Sequence, residues 1–210
     1  MTSVFYSFIT TLISFPDICI MQQQLIARLQ QLKPIPVGDQ ELIAKAFEPM
    51  KFKEGDTLLP LGHVARQLFF ITNGVLRIMA QNDKGNEVTY FFLKDNQFCT
   101  ILYSFNNNMI AEESIQAACD TELLAISKNN LLALYEKLPY LKEMIDQISQ
   151  NTLLEKIKTR NAYLGHDSSE RYLLFLERQP EVAMRVPLTD IASYLGVTPQ
   201  SLSRIRKNIR

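Results

Sequence analysis

The sequence predicts an α+β chain of three parts: a β-rich domain flanked by helices, one long amphipathic helix, and a C-terminal helix-turn-helix. Three observations predict it. Across residues 50–127, short apolar runs alternate with turn signals at regular spacing, the pattern of a sandwich or barrel. From Asn129 the apolar period reverts to 3.6 and persists through residues 140–163. In residues 188–210, Ala192, Gly196 and Leu202 stand four and six residues apart, the spacing of two short helices that cross at a tight turn.

Residues 1–20 are mostly apolar and hydroxylated, with Asp17 the only charge and no Lys or Arg before Arg28. The positive n-region of a secretory signal is missing. Pro16-Asp17 interrupts the run, which counts against a membrane span. Three readings stay open: a start at Met21, a loosely attached extension, or a membrane anchor. An amphipathic segment at 22–32 and a second at 40–47 predict two helices. Lys53-Glu54-Gly55-Asp56 is a turn. Apolar runs at 68–71 and 75–79 are split by Asn73-Gly74, which predicts a hairpin. Asp83-Lys84-Gly85-Asn86 is another tight turn, followed by Tyr90-Phe91-Phe92, and final strands are expected at 113–119 and 122–126.

Leu131, Leu132 and Leu134 open a short helix that stops near Pro139. In the long helix after it, Leu141, Met144, Ile145 and Ile148 recur on one side, and this stripe is expected to pair with a second copy of the chain. Residues 165–169 read as the helix end and a linker, and 170–178 as the start of a separate helical module. The boundaries that follow are an uncertain extension at 1–20, a β domain at 21–138, a dimerisation helix at 139–163 and a helix-turn-helix domain at 164–210.

Net charge is zero over 210 residues, yet from Arg185 onward five basic residues face one acid, Asp190. A polyanion would therefore be gripped by the C-terminal end alone. A hydrophobic content of 47% with 21% charged residues describes an ordinary folded chain. Cys19, Cys99 and Cys119 are scattered and odd in number, which points to a cytoplasmic protein without a disulfide or metal framework. Each reads first as a small hydrophobe rather than a redox sensor.

The steric demands of a DNA-reading motif are met one by one at the C-terminus. Ala192 suits a close helix crossing, and Gly196 supplies the left-handed residue that ends the first helix. Thr198 can N-cap the second, with Pro199 at its first position. Leu202 and Ile205 form the inner face; Gln200, Ser201, Ser203, Arg204 and Lys207 point outward. Such a helix enters the major groove with its N-terminal half towards the bases. Arg204 can pair with guanine O6/N7, and Gln200 can address adenine. Arg206, Lys207 and Arg210 read as phosphate contacts, against a plain reading as surface charge.

The order of parts resembles the Crp/Fnr family of bacterial transcription regulators, from about Met21 to the end. The segment Phe69-Phe70-Ile71-Thr72-Asn73-Gly74-Val75 and the helix-turn-helix at 191–207 carry the resemblance. It implies a cyclic-nucleotide-binding-type β-roll of jelly-roll form, a dimerising long helix and a winged-helix DNA-binding domain. DNA, a second copy of the chain and RNA polymerase are the partners it implies. Arg204 occupies the place of the family's base-reading arginine, Gln200 that of a frequent acidic partner, and Pro199 that of a second DNA-contacting arginine. A different target sequence is therefore expected.

Two departures qualify the resemblance. Members that bind cAMP carry Gly-Glu and, later, Arg-Ser; a gapless match puts Thr100 and Ile101 at the first pair and Ala111 and Glu112 at the second. A buried phosphate needs charge-assisted donors, which an alanine and an acid do not offer, so ordinary cAMP or cGMP binding is not expected. Another effector, or none, would sit near Phe98, Cys99, Thr100, Ile101, Tyr103, Ala111, Glu112, Glu113 and Ser114. Phe91, Phe92, Phe98 and Tyr103 could line that pocket, though plain core is the first reading. Cys19 alone does not make an iron–sulfur cluster, and His63 and His166 read as surface histidines rather than haem ligands. The second departure is the wing, expected to be missing because three residues follow Lys207.

No clustered histidines, phosphate loop or nucleophile elbow supports an enzyme. No cofactor is expected. The reading is a homodimeric regulator on a near-palindromic operator. The alternative is a small-molecule sensor that signals through a protein partner without DNA.

Overall fold

A computed structural model of the chain describes residues 13–83 and 85–209. Most of the N-terminal extension, Lys84 of the second turn and Arg210 lie outside the described residues. The order of elements is α1 (Phe15–Gln30), α2 (Val37–Ala46), β1 (Glu48–Phe52), β2 (Thr57–Leu59), β3 (Gln67–Asn73), β4 (Val75–Gln81), β5 (Glu87–Lys94), β6 (Phe98–Cys99), α3 (Leu102–Asn107), β7 (Glu113–Ala117) and β8 (Thr121–Ser127). Six helices complete it: α4 (Lys128–Lys137), α5 (Pro139–Asn161), α6 (Ser168–Arg178), α7 (Pro180–Arg185), α8 (Leu188–Leu195) and α9 (Pro199–Asn208).

Helix α1 begins well before the amphipathic stretch that announced it. Ser14 caps it by accepting the Asp17 N–H, and Pro16 occupies the first turn, where its missing N–H is harmless. Pro16-Asp17 is therefore a helix start rather than a break, and residues 15–20 belong to α1. Met21, Leu25, Ile26 and Leu29 form its buried face.

The strands make two four-stranded antiparallel sheets, in the orders β1-β8-β3-β6 and β2-β7-β4-β5. Phe70, Ile71, Leu123 and Leu124 of the first share one core with Leu76, Ile78, Leu93 and Ile115 of the second. Helices α1 and α4 pack on the first sheet. Strand β3 is consequently buried on both faces, which explains its unbroken Leu68-Phe69-Phe70-Ile71 run.

The hairpin expected at Asn73-Gly74 is not formed. Strands β3 and β4 lie in different sheets, and Gly74 is the corner between them. Its φ is +129°, and a Cβ there would come within 2.4 Å of Thr121 Oγ1. Asn-Gly reports a backbone with positive φ, and a sheet-to-sheet corner needs that as much as a hairpin does. The second turn does close a hairpin, β4 to β5, with Gln81 opposite Glu87.

The long helix α5 starts at Pro139, and its register corrects the dimer expectation. Leu141, Met144, Ile145 and Ile148 are buried in the chain's own core. Side chains already packed against their own β domain are not free to pair with a second copy. The large apolar residues that α5 exposes are Leu153, Leu154 and Ile157, at 43%, 54% and 44%.

Helices α6–α9 close a second core around Tyr172, Phe175, Val182, Ile191, Ala192, Leu195 and Leu202. Val75, Phe92 and Ala118 of the β domain belong to that same cluster, so the C-terminal helices are docked on the second sheet. Among the described residues, no helix is long and apolar enough to cross a membrane.

Candidate nucleic-acid interface

Helices α8 and α9 are joined by Gly196, Val197 and Thr198. Gly196 takes the left-handed conformation, φ +67° and ψ +35°, and ends α8. The Val197 N–H donates to the Ala192 carbonyl at 3.0 Å, occupying an orphan acceptor of the last turn. Thr198 is extended, and its Oγ1 accepts the Ser201 N–H at 3.1 Å, the N-cap of α9. Pro199 occupies the first turn. Leu202 and Ile205 fasten the inner side of α9 to the module core.

This leaves one face of α9 open. Thr198, Gln200, Ser201, Arg204, Arg206 and Lys207 are exposed, and Ser203 is half-buried. Among the described residues, no carboxylate lies within ion-pair distance of Arg204, Arg206 or Lys207. At the helix C-terminus Arg206 and Lys207 also oppose the negative end of the macrodipole, which holds them there without a partner side chain. The surface can donate several hydrogen bonds and up to three positive charges to an anion. Position Arg210 lies outside the described residues.

The other face of the module is locked to the β domain. Arg77 Nη1 donates to Asp190 Oδ1 of α8 at 2.7 Å, with side chains 15% and 13% exposed. Arg77 also donates its Nε to Gln116 Oε1 at 2.8 Å. Burial raises the Asp190 carboxyl above its ordinary range, while the Arg77 guanidinium pulls it back. The Thr89 N–H donates to Ser193 Oγ at 3.0 Å. Lys94 pairs with Glu181 at 2.5 Å, and Arg185 donates to Asp95 at 2.7 Å and to Asn73. The Phe92 ring meets Tyr194 at 5.2 Å. Sequence reasoning missed this set; Arg77 inside the apolar strand Val75-Leu76-Arg77-Ile78-Met79 was its one local signal.

The expected effector residues are spread over core, strand and surface. Cys99, Ile101 and Ala111 are packed in the first core, with Ala65 and Phe105. Phe98 and Thr100 border a cavity of about 40 Å³ against α5, and Thr100 donates its hydroxyl to the Gln67 carbonyl. Tyr103 is 67% exposed on α3, Glu112 is exposed, and Glu113 and Ser114 stand on β7. Phe92 is core, and Phe91 is half-buried. Burial pushes the Cys99 thiol up to about 12 and raises Cys119, so neither is a ready thiolate at neutral pH. His63 and His166 are both exposed; His166 faces Glu170 at 3.1 Å. Among the described residues, no cluster of three His, Cys, Asp or Glu side chains could hold a metal.

Residues 49–137 match the cyclic nucleotide-binding domain family. No curated protein matches the chain in sequence. Among solved structures, it is similar to the c-di-GMP responsive global regulator CLP of Xanthomonas campestris: 17% identity, 83% of this chain and 91% of that one, TM-score 0.65. FixK2 of Bradyrhizobium japonicum is similar at 14% identity, over 78% and 84%, with TM-score 0.65. A putative Crp/Fnr-family transcriptional regulator of Eubacterium rectale matches at 18% identity over 83% of each chain, TM-score 0.58. At such identities the likeness is one of fold. The chain thus shares the fold of these proteins, with a cyclic nucleotide-binding-type β domain joined through a long helix to a C-terminal helical module.

Proposed function

We propose that the chain is a non-enzymatic, homodimeric transcription regulator that reads DNA through a helix-turn-helix of winged-helix type, α8 and α9. The open face of α9 carries the reading: a capped helix whose Gln200, Ser201 and Arg204 are exposed, followed by the exposed cations Arg206 and Lys207. Arg204 and Gln200 are assigned to base edges, with Thr198, Ser201, Ser203, Arg206 and Lys207 on phosphates. The second copy is assigned to the C-terminal half of α5, where Gln150, Leu154, Ile157 and Asn161 fall at alternating four- and three-residue spacing and are exposed.

In this reading cAMP is not the effector, since Thr100, Ile101, Ala111 and Glu112 stand where a phosphate clamp would be, and Ile101 and Ala111 fill the core. Selection of bound duplexes from a random pool tests the function. The expected winner is a near-palindrome with half-site centres about one helical turn, roughly 34 Å, apart. No enriched sequence, with purified protein or in cell extract, would contradict it.

A further inference from the structure

A cleft of about 390 Å³ opens where β5, α5 and the α6–α7 corner meet. That size lies within the range of small-molecule sites. One wall is aromatic, with Phe91, Phe92 and Tyr194. Its charge is one-sided: Lys94, Lys156, Lys158 and Arg178 face a single lining carboxylate, Glu155. Lys94 is satisfied by Glu181. The other three cations have no ion-pair partner among the described residues.

Lys156 is the informative one. Its ammonium lies 5.0 Å from the centre of the Phe91 ring, half-buried between α5 and β5. Burial lowers its pKa, because removing a charge from water without a counter-ion disfavours the charged form. Its ionisable neighbour Cys99 offers no compensation, since that thiol stays neutral. A sequestered ammonium beside an aromatic wall is a place where an anion would regain the lost charge balance.

We infer that this cleft binds a small organic anion, a carboxylate or phosphate carrying an aromatic ring, with Lys156 and Arg178 on the anionic group and the ring against Phe91 and Tyr194. The site joins sensor sheet, long helix and C-terminal module, and its occupant would bear on how α7 and α8 sit against β5. That consequence rests on the regulatory reading; the binding itself does not.

Titration calorimetry on the full chain, without DNA, tests it with salicylate and phenyl phosphate as probes and with benzyl alcohol and inorganic phosphate as controls. At least one aromatic anion is expected to bind saturably below millimolar concentration, at least tenfold more tightly than either control. Preference for salicylate or for phenyl phosphate then tells carboxylate from phosphate. Lys156→Gln and, independently, the exposed-site variant Arg178→Gln should each weaken binding several-fold, whereas Lys207→Gln should not. Absence of saturable binding by both probes, or equal binding by wild type and Arg178→Gln, would overturn the site. Either result leaves the DNA selection unaffected, so the two readings fail separately.

Discussion

At Gly74 two constraints meet on one atom that is not there. Its φ of +129° disfavours any side chain, and the Cβ direction is filled by the Thr121 backbone and hydroxyl at 2.4–2.7 Å. Gly74→Ala is therefore expected to destabilise the β domain by more than about 2 kcal/mol, combining backbone strain with overpacking, read from denaturant midpoints. At Thr198 the stake is a single cap: Thr198→Ala should cost about 1 kcal/mol and fray the start of α9, seen as faster exchange of the Ser201 amide. Asp167 caps α6 reciprocally with Glu170, and the backbone N–H groups of Glu170 and Ser169 hold its carboxyl below the usual range. The sign follows from that direction. This stabilisation is whole above the ordinary carboxylate pKa and disappears as pH falls through the lowered value, so the Ser169 and Glu170 amides should lose protection at a pH below the ordinary carboxylate midpoint.

Elements were legible wherever their determinants are local. Gly196, Thr198 and Pro199 lie within one turn of each other, so the α8–α9 junction could be read directly. The Asn73-Gly74 signal was equally local, but which sheet the next strand joins is decided by distant partners, β8 for β3 and β7 for β4. For α5, periodicity grouped Leu141, Met144, Ile145 and Ile148 on one face without saying what covers it. Their own β domain does, and Leu153, Leu154 and Ile157 are left outside. Leu154→Glu is accordingly expected to yield a folded monomer in sedimentation, whereas a dimer that survives it would remove α5's C-terminal half from the interface.

The whole molecule is one docked assembly rather than two beads on a helix, because Val75, Phe92 and Ala118 lend the β domain's surface to the second core. Contacts such as Arg77–Asp190 and Thr89–Ser193 join residues far apart in sequence, which is why neither they nor the Lys156 cleft could be read from it. Asp190→Ala strands the largely buried Arg77 guanidinium; it should weaken docking by about 1–3 kcal/mol and speed amide exchange of Thr89, with the α9 face unaltered. The docked arrangement turns α9 outward, and the role proposed for this face is to read bases. The most direct test is the affinity of the selected duplex for wild type and Arg204→Ala, followed against salt. Arg204→Ala is expected to lose about 1–3 kcal/mol, with relaxed preference at one base pair. Lys207→Ala should instead weaken all sequences alike and lower the salt slope by about one. Equal affinity of wild type and Arg204→Ala for selected and scrambled duplexes would contradict that role.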